Sequence, residues 1–189
     1  MEELTLFIRM VIGIIFFSSF ISKITNLTEH SNVIKSYKIL PNKFVMSFAF
    51  VEISLEFFSS LLVLLGYLQE IASSILILLL ILYSLAISLN LFNGRTRISC
   101  GCKGVMGDHK LSWILVLRNL LIICLCYWLT QLKTKYLSLE FFFKHGHVIF
   151  DMHVFVIFLG SLCLLIGYIN LNRLSNIGKA LNNINTSLE

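Results

Sequence analysis

Charge is scarce in this sequence. Asp, Glu, Lys and Arg make up 13% of its 189 residues, about half of the roughly 25% found in soluble domains. That is too little to clothe a water-facing surface. Other absences narrow the reading. There is no Gly-rich phosphate loop, no nucleophile elbow and no His-Glu-x-x-His, so hydrolases and ATP-driven chemistry have no foothold. The N-terminus lacks the basic stretch and small-residue cleavage site of a secretory signal. It is apolar from Leu4 onward and reads as a retained helix. The five cysteines are odd in number and are not spaced as a disulfide framework. No internal repeat is visible. No basic, aromatic-interleaved patch lies outside the apolar stretches, so nucleic acid is not an expected partner.

Apolar residues are abundant instead. They make up 57% of the chain, and the mean hydropathy is +0.87. The excess must face lipid. About 20 mainly apolar residues cross a bilayer core, and five stretches qualify: 4–24, 44–68, 71–92, 111–132 and 148–171. The predicted fold class is therefore all-α: a polytopic transmembrane helical bundle of about five helices, as expected of a multi-pass protein of the bacterial cell membrane. Residues 1–170 form the membrane domain. Residues 171–189 form a C-terminal tail whose apolar residues Leu171, Leu174, Ile177, Leu181, Ile184 and Leu188 share one helical face. An amphipathic helix on the membrane surface is expected there. The segment 23–43 reads as a polar loop, and the only proline, Pro41, marks where the second helix can begin. Only Gln69 and Glu70 separate the second and third stretches, which predicts a tight antiparallel hairpin.

The net charge is +5, and the basic residues fall in the gaps between apolar stretches, against anionic headgroups. Lys23, Lys35, Lys38 and Lys43, then Arg95, Arg97, Lys103 and Lys110, then Arg173 and Lys179 share one side of a five-span chain. Lys133, Lys135 and Lys144 fall on the other. The positive-inside rule assigns the first side to the cytoplasm, giving N-out, C-in and a cytoplasmic 93–110 loop. That position is at odds with oxidising a secreted client.

The strongest local signal is Ser99-Cys100-Gly101-Cys102-Lys103-Gly104. Thiol chemistry runs through the thiolate, which Arg95, Arg97 and Lys103 favour. Gly101 lets two cysteines approach, and a disulfide closing so small a ring is strained and readily reduced. The competing readings are a turn with incidental thiols, and a zinc site with His109, for which no second ligand pair of standard spacing follows. Cys124, Cys126 and Cys163 lie in apolar stretches. They read as packing residues, the alternative being an electron relay. Glu52 and Glu56 stand at i, i+4 on one helix face. Buried charges are costly in a membrane, so Arg118 and Arg9 are their expected partners, with Asn119 hydrogen-bonding across helices. His145, His147, Asp151 and His153 read as an interfacial cluster, with metal binding or proton relay as the alternatives.

These residues resemble the MauE-type family of methylamine utilisation membrane proteins, within the DoxX-like group, over about residues 5–130. The run Phe16-Phe17-Ser18-Ser19-Phe20-Ile21-Ser22-Lys23 is similar to that family's small-residue stretch closed by Lys. Tyr37-Lys38-Ile39-Leu40-Pro41 is similar to its tyrosine-to-Leu-Pro approach to helix two. Glu56 stands ten residues before Gly66, as in the family. Cys100-Gly101-Cys102-x-Gly104, followed by Trp113 and Arg118-Asn119, is the most specific portion. Lys103 departs from the family, which commonly has Phe there; this bears on partner docking and thiol reactivity. The segment after about residue 133 matches less clearly.

The resemblance implies a membrane factor that helps mature a disulfide-rich secreted enzyme subunit beside a thioredoxin-like partner. The expected function is thus a membrane thiol–disulfide redox component. Cys100 and Cys102 would be its exchanging pair, Glu52, Glu56, Arg118 and Asn119 its intramembrane support, and a membrane quinone its acceptor. The client would be an enzyme of the methylamine dehydrogenase type or another secreted product such as a bacteriocin. Two rivals from other classes are a non-enzymatic accessory or immunity protein for a secreted peptide, and a small-solute carrier using the buried charges.

Overall fold

The computed structural model describes residues 2–96, 98–101, 110–132, 136, 138, 139, 141 and 152–185, and for 153 and 171–185 the backbone only. The described residues form six helices: α1 (Glu2–Thr25), α2 (Leu27–Tyr37), α3 (Asn42–Leu65), α4 (Gln69–Phe92), α5 (Trp113–Gln131) and α6 (Met152–Asn185). Among the described residues, α1, α3, α4 and α5 are long and apolar enough to cross a membrane. Helix α6 adds a shorter apolar stretch, Val154–Asn170. The protein is a multi-pass membrane protein whose outer helix faces meet lipid.

The helix ends follow local chemistry. Pro41 stands immediately before α3, where its missing N–H leaves nothing unsatisfied. Gly66 closes α3 in the left-handed region at φ 61°, and its backbone N–H bonds the Val63 carbonyl at 3.1 Å. An added Cβ there would run into the Arg9 guanidinium. Gln69 and Glu70 are the first residues of α4 rather than the turn itself, which is residues 66–68.

Depth matching is antiparallel along the bundle. Gly13 of α1 lies against Leu64 of α3, while Lys23 lies against Glu52 and Glu56. Gln69 at the start of α4 donates to the Leu129 and Leu132 carbonyls, at 2.7 and 3.1 Å, at the end of α5. Phe92 and Trp113 meet edge to face at the other end, 5.2 Å apart. Between these ends, Ile12, Phe16, Val63, Leu76, Leu80, Ile122 and Cys126 form a core shared by the four spanning helices. Helix α6 joins through Val154 on Leu6 and Met10 of α1.

One element departs from the sequence reading. The expected 23–43 loop contains α2. It is too short and polar to span, yet His30, Val33, Ile34 and Tyr37 recur at i, i+3, i+4, i+7 and share one face. That face turns inward, over the ends of α3 and α4.

Candidate functional site

A cluster of charge lies deep in the bundle. Lys23 is 2% exposed, Glu52 3% and Glu56 1%. The Lys23 ammonium donates to Glu52 Oε1 at 2.9 Å and to Glu56 Oε2 at 2.8 Å. It also donates to the Tyr83 hydroxyl at 3.2 Å, and lies 4.9 Å from that ring's centroid. Tyr83 donates in turn to Glu52 Oε1 at 2.7 Å. His30 reaches down from α2 and sets Nε2 3.1 Å from Glu52 Oε2. Four helices thus supply one hydrogen-bonded group: α1 gives the lysine, α2 the histidine, α3 both carboxylates and α4 the phenol.

The formal charges do not cancel by themselves. One ammonium faces two carboxylates, and uncompensated charge is costly away from water. Lys23, Glu52 and Glu56 together carry one formal negative charge in excess, and the Tyr83 hydroxyl and the His30 ring face the same carboxylate, Glu52.

This arrangement corrects the expected pairing. Glu52 and Glu56 meet Lys23, not Arg118 or Arg9. Arg9 lies at the level of Gly66, ten residues from Glu56 along α3 or roughly 15 Å of rise, and it donates to the Tyr136 carbonyl at 3.1 Å. Arg118 is half-buried on α5, its Nε and one Nη without a hydrogen-bond partner among the described residues. Asn119 does bond across helices, donating to Ser84 Oγ at 3.3 Å. Lys23, His30 and Tyr83 are the residues the sequence reading missed. The i, i+3, i+4, i+7 spacing of the α2 face is the one sequence signal that points to His30, whereas Lys23 and Tyr83 are brought in by the packing of α1 and α4 on α3.

Above the cluster lies a cavity of about 300 Å³, lined by Lys23, His30, Glu52, Tyr83, Cys100 and Gly101 together with apolar side chains of α2, α3 and α4. Cys100 is buried against Ile87, Leu111 and Leu115. Its carbonyl accepts from the Tyr37 hydroxyl at 3.2 Å. Gly101 sits at φ 73°, and an added Cβ would stand 2.9 Å from Val33 Cγ1. Only glycine fits that conformation against α2. The stem of the loop is pinned by an antiparallel bridge between Ser99 and Lys110 and by the Leu111 N–H on the Ile98 carbonyl at 3.0 Å. Cys126 is fully buried in the shared core, while Cys124 and Cys163 are exposed on the outer faces of α5 and α6. Cys102, Lys103, His109 and the 145–151 cluster lie outside the described residues, as does the His153 side chain.

Comparison with known proteins gives a consistent result. The family model for methylamine utilisation protein MauE matches residues 1–132. The methylamine utilization protein MauE of Paracoccus denitrificans is 28% identical over 118 residues, covering 62% of this chain and 63% of that protein. Its counterpart in Methylorubrum extorquens is 30% identical over 115 residues, covering 61% and 62%. That of Methylophilus methylotrophus is 31% identical over 97 residues, covering 51% of each. The matched part of the chain thus spans between half and two thirds of these relatives. No solved structure matches. The matched stretch holds α1 to α5 and every residue of the buried cluster, and on that match the chain belongs to the MauE family of methylamine utilisation proteins.

Proposed function

We propose that this protein is a membrane thiol–disulfide redox component that supports disulfide formation in a secreted client. Cys100 and Cys102 are its exchanging pair, and a thioredoxin-like protein is its partner. That the relatives are methylamine utilization proteins supports a client that works in methylamine utilisation. One observation carries the reading: Cys100 and Gly101 wall the same cavity as the buried hydrogen-bonded cluster of Lys23, Glu52, His30 and Tyr83. Thiol–disulfide exchange needs a thiolate to attack a disulfide sulfur, and the leaving thiolate then takes up a proton. A buried group that accepts and returns one proton beside the sulfur serves both half-steps. Among the described residues Cys124, Cys126 and Cys163 have no such neighbours, Cys126 being packed in the core and the other two exposed on outer helix faces.

Serine replacement tests this. Cys100→Ser or Cys102→Ser should abolish maturation of the client, read as its disulfide content in the cell. Serine at Cys124, Cys126 or Cys163 should leave it largely intact. With one loop cysteine removed, the other should be trapped as a mixed disulfide with a thioredoxin-like protein. Full maturation in the Cys100→Ser, Cys102→Ser double variant would end the redox reading and favour an accessory protein that binds its client without chemistry.

A further inference from the structure

The cavity is a slot that runs along the bundle. Leu82, Leu85, Ala86 and Leu89 of α4 line it at i, i+3, i+4 and i+7, so they share one helix face over roughly 10 Å of rise. Ile39 and Leu40 of the Pro41 turn line its outer end, and Lys23, Glu52 and Tyr83 its inner end. Phe48, Leu82, Leu85 and Leu89 are also exposed on the outer surface of α3 and α4, the surface that meets acyl chains in a spanning bundle. The slot therefore opens sideways into lipid, and its long axis follows the chains beside it. Both ends constrain what fills it. The three hydrogens of the Lys23 ammonium go to Glu52, Glu56 and Tyr83, and the Tyr83 hydroxyl donates to Glu52. That pair has no donor left for a ligand, so the occupant ends there in hydrocarbon. The outer end is basic. Apart from Lys23 and Glu52, every lining residue comes from 30–51 or 71–101, and these segments contain no Asp or Glu. Lys35, Lys38, Lys43 and Arg95 within them are exposed, and Lys38 and Lys43 flank the mouth residues Ile39 and Leu40 in the chain.

These features define an occupant with a long apolar body and a negative head. We propose that the slot seats one acyl chain of an anionic phospholipid from the surrounding bilayer, with its headgroup phosphate held by Lys38 and Lys43. The size fits a chain segment. About 300 Å³ is roughly twice the ~150 Å³ of an apolar cavity that takes up benzene. A length of roughly 10 Å is about two thirds of one leaflet's hydrocarbon depth. Apolar walls alone give no preference among lipids, because lipid tails are as apolar as leucine. Selection therefore falls on the headgroup, at about fivefold for each lysine near the membrane surface. A seated chain fills the space beside Cys100 and Tyr83 and holds water off the charge cluster. The site stands whether or not Cys100 exchanges disulfides.

The test uses the full chain in phosphatidylcholine nanodiscs that hold one copy each. The probes are phosphatidylglycerol and phosphatidylcholine of the same chains, each with a photoreactive diazirine in mid-chain. Illumination should attach the phosphatidylglycerol probe saturably within 82–89, at least about fivefold above phosphatidylcholine. Lys38→Gln with Lys43→Gln should erase that preference. Ala86→Trp, which fills the slot, should abolish the saturable adduct. Leu85→Trp at the exposed side should reduce it, and guards against misfolding of the first filling variant. No saturable adduct overturns the proposal, as does equal yield from the two headgroups, or a preference that survives loss of both lysines. A yield unchanged in both tryptophan variants with helix content retained overturns it as well. So does a free fatty acid that competes as strongly as phosphatidylglycerol. In discs loaded with two copies the adduct should persist. Its loss there would show that a second copy closes the opening, and the lipid seat would fall.

Discussion

Lys23 stands 2.8 and 2.9 Å from two carboxylates in the interior of the bundle. Removing one partner of such a group leaves buried charge without compensation, a cost of about 3–5 kcal/mol. Lys23→Met should therefore lower the thermal stability of the solubilised protein sharply. Adding Glu52→Gln and Glu56→Gln should restore much of the loss, because the excess charge is gone. A Lys23→Met protein that melts like the wild type would mean that water reaches the carboxylates. Gly101 sets a second residue-scale test. Alanine there meets both a positive φ and Val33, so the loop must lift from α2 at a cost of roughly 1–3 kcal/mol. Gly101→Ala should raise the alkylation rate of reduced Cys100 several-fold. Part of this chemistry was legible from residue types. Glu52 and Glu56 announced themselves as two acids on one face of an apolar helix, and the Cys-Gly-Cys turn as a reactive loop. Lys23 did not. It reads as a headgroup-facing charge at the end of α1, because the overlap of α1 with the middle of α3 is a tertiary fact. His30 was hidden for the same reason.

Among the elements, the four long spans needed nothing beyond length and hydropathy, since about 20 apolar residues have few other solutions in water or lipid. Helix α2 escaped that reasoning because it is short and nearly neutral in hydropathy. Its inward stripe of buried His30 and half-buried Val33, Ile34 and Tyr37 holds an imidazole and a phenol, so the periodicity is apolar only in part. The stripe nevertheless closes the cavity. Val33→Asp would place a carboxylate against the Gly101 turn and should detach α2, seen as faster amide exchange across residues 27–37 while α3 stays protected. The α4–α5 pair offers a cleaner measurement. Gln69 holds the Leu129 and Leu132 carbonyls from the opposing helix. Gln69→Leu keeps the volume and removes both donors, at about 1–3 kcal/mol for the carbonyls left buried. Exchange should quicken at the end of α5 and stay unchanged near Asn119. A uniform change along α5 would show that the contact supports the whole helix rather than its end.

On the scale of the whole molecule the structure fixes relative sidedness. The N-terminus, the 66–68 turn and the end of α5 lie together, because Arg9 approaches Gly66 and Gln69 reaches Leu132. The Pro41 turn and the Cys100 loop share the opposite end, where Tyr37 meets the Cys100 carbonyl. Helix α6 begins beside Leu6 and Met10, hence at the N-terminal end. Its apolar stretch Val154–Asn170 would carry the chain back across, with some thinning of the bilayer or tilt of its neighbours. A C-terminal tag should therefore be reached from the same side as Cys100, and a cysteine placed at Tyr67 from the other. The charge count bears on which side is which. With Lys23 buried in the cluster, it no longer counts as a loop charge, yet Lys35, Lys38, Lys43, Arg95 and Lys110 remain at the Cys100 end. The positive-inside rule still points that end to the cytoplasm, whereas a secreted client needs it outside. A membrane-impermeant maleimide on intact cells separates these demands, in a background where Cys124, Cys126 and Cys163 are serine. The proposed function requires labelling of the Cys100 loop without permeabilisation and protection of the Tyr67→Cys site. Labelling only after permeabilisation would remove the secreted client and leave exchange with a cytoplasmic thioredoxin-like protein as the surviving form of the reaction.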